Sequence, residues 1–156
     1  MCIYGGSYGG YAAMWALAKT PDLFRCGISF AGVSDLTYMF RDSSDNNDYA
    51  ASREYMRMLV GDPDASRQQF DEVSPLKNAA RIKSPIFIAH GNRDGRVPID
   101  HSEKMIDALK ENGKQYEWME LNREGHGIGN DENRLKFYNA LFKFLDRNIG
   151  EGSKAK

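Results

Sequence analysis

Three residue types able to perform nucleophilic chemistry stand in separate glycine-rich settings. Gly5-Gly6-Ser7-Tyr8-Gly9 fits the pattern G-x-S-x-G between a short apolar run and a helical pattern. In that setting a sharp turn holds the serine hydroxyl clear of a sheet, at the start of a helix. Such a turn is crowded, and Gly5, Gly9 and Gly10 are read as supplying the room. The Tyr8 backbone N–H then faces the position where an oxyanion would develop. A serine hydroxyl is a weak nucleophile until a base takes its proton. Of the three histidines, His126, in Glu124-Gly125-His126-Gly127, lies in a loop between a strand and the last helix and is the candidate base. His90 ends a strand and reads as a backbone-positioning or core residue. His101 lies in a helix's first turn and reads as surface or packing.

A base of this kind needs an acid to fix its tautomer and balance its imidazolium charge. Asp94 follows a strand through His90-Gly91-Asn92-Arg93 and precedes Val97-Pro98. Strand-end loops of this sort are where open α/β sheets place functional groups. Asp100 is the nearest competitor, but it reads as an N-terminal helix charge. Asp35 reads as a helix cap. The order is serine, acid, base, and the chemistry implied is acyl transfer to water. No dinucleotide fingerprint, P-loop or histidine pair at metal spacing is found, so neither cofactor nor metal is expected.

The elements that must position these residues follow from periodicity. Cys2-Ile3-Tyr4 is a clipped strand, and Tyr11, Met14, Trp15 and Ala18 recur at helical spacing before Pro21. Arg25 to Ala31 reads as a buried strand, Asp42 to Asn47 as a polar loop and Asp48 to Leu59 as a helix. Ser74-Pro75-Leu76 opens a short helix, with proline suited to its first turn. Pro85 to His90 is an apolar strand, and Ile99 to Asn112 an amphipathic helix stopped by Gly113. Tyr116 to Leu121 alternates as a strand. Asp131 to Ile149 is the last helix, with Leu135, Tyr138, Leu141, Phe142 and Leu145 read as its buried side. This alternation predicts an α/β fold, a mostly parallel sheet of about four strands flanked by helices. Trp15, Tyr49 and Tyr55 are candidate pocket walls, with core packing the simpler reading, and substrate selection is expected around Tyr38 to Tyr55.

The 156 residues suit one domain, here 1–149, followed by a small polar tail at 150–156 that is expected to fray. A net charge of −1 and 41% hydrophobic residues give no nucleic-acid or membrane-surface signal. No apolar run reaches membrane-spanning length and no signal peptide is visible, so a cytoplasmic location is expected. Cys2 and Cys26 read as two buried thiols in neighbouring strands.

Taken together these blocks resemble the prolyl oligopeptidase family of serine peptidases, particularly its acylaminoacyl-peptidase and dipeptidyl-peptidase branches. The resemblance rests on Gly5-Gly6-Ser7-Tyr8-Gly9-Gly10-Tyr11, Ser74-Pro75-Leu76, His90-Gly91-Asn92-Arg93-Asp94 with Val97-Pro98, and Glu124-Gly125-His126-Gly127. It covers nearly the whole chain and implies an α/β-hydrolase fold with triad roles for Ser7, Asp94 and His126, and half of the oxyanion hole at Tyr8. It also implies preceding strands and a second oxyanion donor upstream. The chain is therefore expected to be a truncated, C-terminal part of a catalytic domain, impaired by about 100–1000-fold for the missing donor. The substrate expected is a peptide. A small ester, cleaved by a carboxylesterase of the same fold, is the alternative. A non-catalytic fragment that self-associates through an exposed strand edge, or is covered by a missing N-terminal region, is a third reading.

Overall fold

The computed structural model describes residues 1–42, 54, 55, 57, 58 and 60–151. Its ordered elements are β1 (Cys2–Gly6), α1 (Tyr8–Lys19), β2 (Cys26–Phe30), α2 (Leu36–Asp42), α3 (Arg67–Val73), a 3-10 segment (Pro75–Arg81), β3 (Ile86–Gly91), α4 (Asp100–Glu111), β4 (Tyr116–Leu121) and α5 (Asp131–Ile149). The loop expected after Asp42, most of the helix expected over Asp48–Leu59, Tyr49 and most of the tail lie outside the described residues.

The four strands form one parallel sheet in the order β1-β2-β3-β4. β3 is central and covered on both faces, so all six of its residues are buried and its sequence is continuously apolar up to His90-Gly91. Its side chains still alternate. Ile86 and Ile88 join Met14 and Leu17 of α1 and Met105 and Leu109 of α4 on one face. Phe87 and Ala89 join Ile28 and the α5 residues Phe137, Leu141 and Phe144 on the other. One face is thus covered by two helices and the other by α5. Gly113 ends α4 in the left-handed region, φ 62°. Its N–H and that of Lys114 donate to the carbonyls of Lys110 and Leu109, satisfying the last turn.

Two expectations need correction. The buried stripe of α5 is Phe137, Leu141 and Phe144, with Leu145 partly buried, whereas Leu135, Tyr138 and Phe142 are exposed. The helix carries two apolar stripes, and periodicity alone does not say which meets the sheet. Cys2 and Cys26 are in neighbouring strands as expected, but they are directly paired in register and joined by a disulfide rather than left as thiols.

Candidate active site

Parallel pairing brings the C-terminal ends of β1, β3 and β4 to one edge of the sheet, and each is followed by one of the sequence-predicted residues. Ser7 occupies the turn between β1 and α1, with φ 56° and ψ −122°. A non-glycine residue held at positive φ costs about 1–3 kcal/mol, and the surroundings must over-determine it. Here the Ser7 N–H donates to the Phe30 carbonyl (2.8 Å) and the Ser7 carbonyl accepts from the Tyr11 N–H (3.1 Å). A Cβ on Gly5 would collide with the Gly9 backbone. One on Gly10 would stand 2.7 Å from the Gly32 Cα. Gly9, by contrast, faces open space, so the turn needs glycine at 5 and 10 but not, for room, at 9. Tyr8 opens α1, and its N–H is among the first-turn donors that no intrahelical carbonyl can satisfy.

His126 Nε2 lies 2.8 Å from Ser7 Oγ, and its Nδ1 lies 2.7 Å from Asp94 Oδ2. The Asp94 side chain is fully buried, while that of His126 is 18% exposed. The other carboxylate oxygen, Oδ1, accepts from the N–H groups of Arg96 (2.9 Å) and Val97 (3.0 Å). Burial alone would raise the Asp94 pKa. The hydrogen bonds from His126, Val97 and Arg96, with the His126 charge, outweigh that and hold the carboxyl below its ordinary value. An ionised carboxylate requires Nδ1 of His126 to carry the proton, which leaves Nε2 free to accept from the serine hydroxyl. The three residues are therefore arranged for proton transfer from Ser7 to His126.

Sequence reasoning missed what ties the two loops together. Gly91 has no room for a Cβ against the backbone of Glu124 and Gly125, so the β4–α5 loop lies directly on the end of β3. The Arg93 N–H donates to the Glu124 carbonyl (2.8 Å), and Asn92 Oδ1 accepts from the Arg123 N–H (2.8 Å). The Glu124 carboxylate accepts from the N–H groups of Gly129 and Asn130 and from the Asn133 side chain (2.8–3.0 Å), fixing the loop that carries His126. The glycine before Asn92 was the one available signal.

The remaining candidates fall elsewhere. Asp100 is an exposed first-turn charge of α4, and Asp35 Oδ1 accepts from the Tyr38 N–H at the start of α2. Trp15 packs against the core and Tyr55 is exposed. Among the described residues no group of three His, Cys, Asp or Glu could hold a metal.

The model of the prolyl oligopeptidase family matches residues 1–152. The chain belongs to that family. It is 34% identical over 152 residues to dipeptidyl aminopeptidase BIII of Pseudoxanthomonas mexicana, covering 96% of this chain and 22% of that one. A puromycin-hydrolyzing peptidase of Mycobacterium tuberculosis superposes with a TM-score of 0.86 at 28% identity, over 96% of this chain and 22% of that structure. The inactive dipeptidyl peptidase 10 of Rattus norvegicus is 28% identical over 146 residues, 93% of this chain and 17% of its own. The chain thus spans about a fifth of the length of these relatives. The α/β-hydrolase peptidase fold is shared, and the inactive relative makes the site, not the family, the ground for any claim of activity.

Proposed function

We propose that residues 1–149 form the C-terminal part of a serine peptidase's catalytic domain and carry its nucleophile, base and acid. In this reading Ser7 Oγ attacks the peptide carbonyl while His126 Nε2 takes the hydroxyl proton. The Tyr8 N–H donates to the oxyanion. His126 then returns the proton to the leaving amine, which departs as the acyl-enzyme forms. Water, deprotonated by His126, attacks the ester and releases the acid, and the proton goes back to Ser7. Asp94 orients His126 and balances its charge throughout. The single observation that carries this reading is the 2.8 Å contact of Ser7 Oγ with an imidazole whose other nitrogen rests on a buried carboxylate. Dipeptidyl aminopeptidase and acylaminoacyl peptidase relatives favour peptides as substrates.

The test is covalent labelling by a fluorophosphonate, read by intact mass beside a Ser7→Ala control. One adduct on the wild-type chain and none on the variant is expected, and turnover, where measurable, should fall by roughly a millionfold. Cleavage of aminoacyl-anilides supports a peptidase, whereas turnover of p-nitrophenyl esters alone supports an esterase. A folded chain that takes no label supports the competing reading of a non-catalytic, self-associating fragment. That reading is favoured by the inactive relative and by the apolar surface beside β1.

No helix among the described residues is long and apolar enough to cross a membrane. The cytoplasmic location expected from sequence goes with reduced cysteines, because disulfides persist mainly in oxidising compartments. Alkylation at lysis followed by mass measurement reads this directly. Two blocked thiols place the protein in a reducing compartment, and none places it in an oxidising one.

A further inference from the structure

Asp94 Oδ2 accepts from two imidazoles. Besides His126 Nδ1 at 2.7 Å, His90 Nε2 lies 3.1 Å away, and that same nitrogen is 2.9 Å from the Val97 carbonyl oxygen. Both neighbours of Nε2 are acceptors, so Nε2 carries the proton and shares it between them. In the neutral ring Nδ1 is then a lone pair, and Ser102 Oγ, 2.7 Å away, donates to it. His90 and the Asp94 side chain are fully buried and Ser102 is 2% exposed. The result is a continuous line, Ser102–His90–Asp94–His126–Ser7, in which the hydroxyl and N–H donors of both halves point toward the one carboxylate.

We propose that His90, held in one tautomer by Asp94 and the Val97 carbonyl and seated by Ser102, is a positioning residue that aims the Asp94 carboxylate at His126 and limits the basicity Asp94 shows it. The inference rests on the catalytic reading of Ser7, Asp94 and His126. A neutral donor stabilises the carboxylate without cancelling its charge, so Asp94 keeps that charge for the imidazolium of His126. Burial is the largest influence on His90 and lowers its pKa; the Val97 carbonyl and Asp94 raise it, His126 lowers it, and the net direction is down. The titratable groups interacting with His90 are Asp94, His126 and His101. Its register partner on β4, Glu120, is exposed and accepts from Asn92. Removing the His90 donor leaves Oδ2 with His126 alone. Asp94 then holds an imidazolium more tightly, and it is also less firmly aimed.

The experiment follows two quantities in the full chain. One is the rate constant of fluorophosphonate labelling against pH, and the other is the His126 imidazole titration by NMR. His90→Leu is expected to slow labelling by about 10- to 100-fold, the scale of a lost hydrogen bond to a charged group. It should move the His126 titration to higher pH by roughly one unit. His90→Gln, whose amide N–H reaches the place of Nε2, should recover much of both. Ser102→Ala leaves Nδ1 without its hydroxyl partner and the ring less firmly seated, and should move both in the same direction by less. Wild-type labelling and an unmoved His126 titration in His90→Leu would overturn the inference, even with a lowered melting temperature. If His90→Leu does not fold, an unmoved titration in Ser102→Ala does the same. If the wild-type chain takes no label, the catalytic reading fails, and the NMR titrations still decide the coupling of His90 to His126.

Discussion

Two of the three histidines are buried, and only one of them faces the site. His101, on the first turn of α4, is fully buried against α2. The Ser34 N–H donates to its Nδ1 (3.2 Å), so the neutral ring must carry its proton on Nε2, which has no partner among the described residues. Charging this ring would place a cation out of reach of water, and its pKa is pushed down to about 4 from an ordinary 6.5. Burial is the main cause. His90 and Lys104 lower it further, against the opposing charges of Asp35 and Asp100. With the folded value depressed, the unfolded chain binds the proton first. The stabilising contribution is therefore whole above pH 6.5 and is lost as pH falls toward 4, by about 3 kcal/mol. Asp94 has the same sign but acts lower, its contribution being lost as pH falls through a value below 3.8. Urea unfolding of wild type and His101→Gln at pH 7 and pH 4 separates the effect. The wild type should lose more stability between the two than the variant. Equal losses would mean that His101 does not titrate in this window.

At the scale of elements, the turn from β1 into α1 is the part most constrained by close backbone approach. A methyl group on Gly5 meets the Gly9 main chain, which cannot yield as a side-chain tip would. Gly5→Ala is expected to cost about 1–3 kcal/mol and to displace Ser7 enough to abolish labelling. Gly9→Ala meets nothing within 4 Å and lies in a helix, so it should raise stability by about 0.5–1 kcal/mol. Thermal melts of the two variants check this, and a destabilised Gly9→Ala would contradict the open space beside that residue. The same contrast shows what was legible in the sequence. Strands, helices and the strand-end positions of Ser7, Asp94 and His126 follow from periodicity and from glycine or proline punctuation, which are local. The doubled glycines also announced a crowded turn. Local pattern does not say which glycine meets which backbone, nor which of two apolar stripes of α5 faces Phe87. Contacts such as Asn92 with Arg123, or His90 with Asp94, form between polar groups whose pairing leaves no periodic trace.

For the whole molecule, the unequal cover of the sheet has a physical consequence. α5 presents Leu135 (64% exposed), Tyr138 (45%), Phe142 (63%) and Ile149 (45%) to solvent, and Tyr4 of the edge strand β1 is 55% exposed. Tyr4 and Tyr138 line one cleft of about 210 Å³ with Phe30, Ile128, Arg134 and Phe137. An apolar surface continuous with an edge strand is an association hazard, since the edge offers ladder donors and acceptors that a second strand can take. β1 pairs only with β2 in this sheet, and a second copy of the chain, its own β1 set against this one, would satisfy both edges at once and bury Tyr4 and Tyr138 beside them. Light scattering of the chain over a rising concentration series should therefore give a mass that climbs above the monomer. Tyr138→Lys with Phe142→Lys, both on the solvent side of α5, should lower that mass while costing no more than about 0.5 kcal/mol of stability each. A monomer mass at every concentration would show that this face is stable in water as it stands. An unchanged oligomer in the double variant would move the contact away from α5 to another part of the surface.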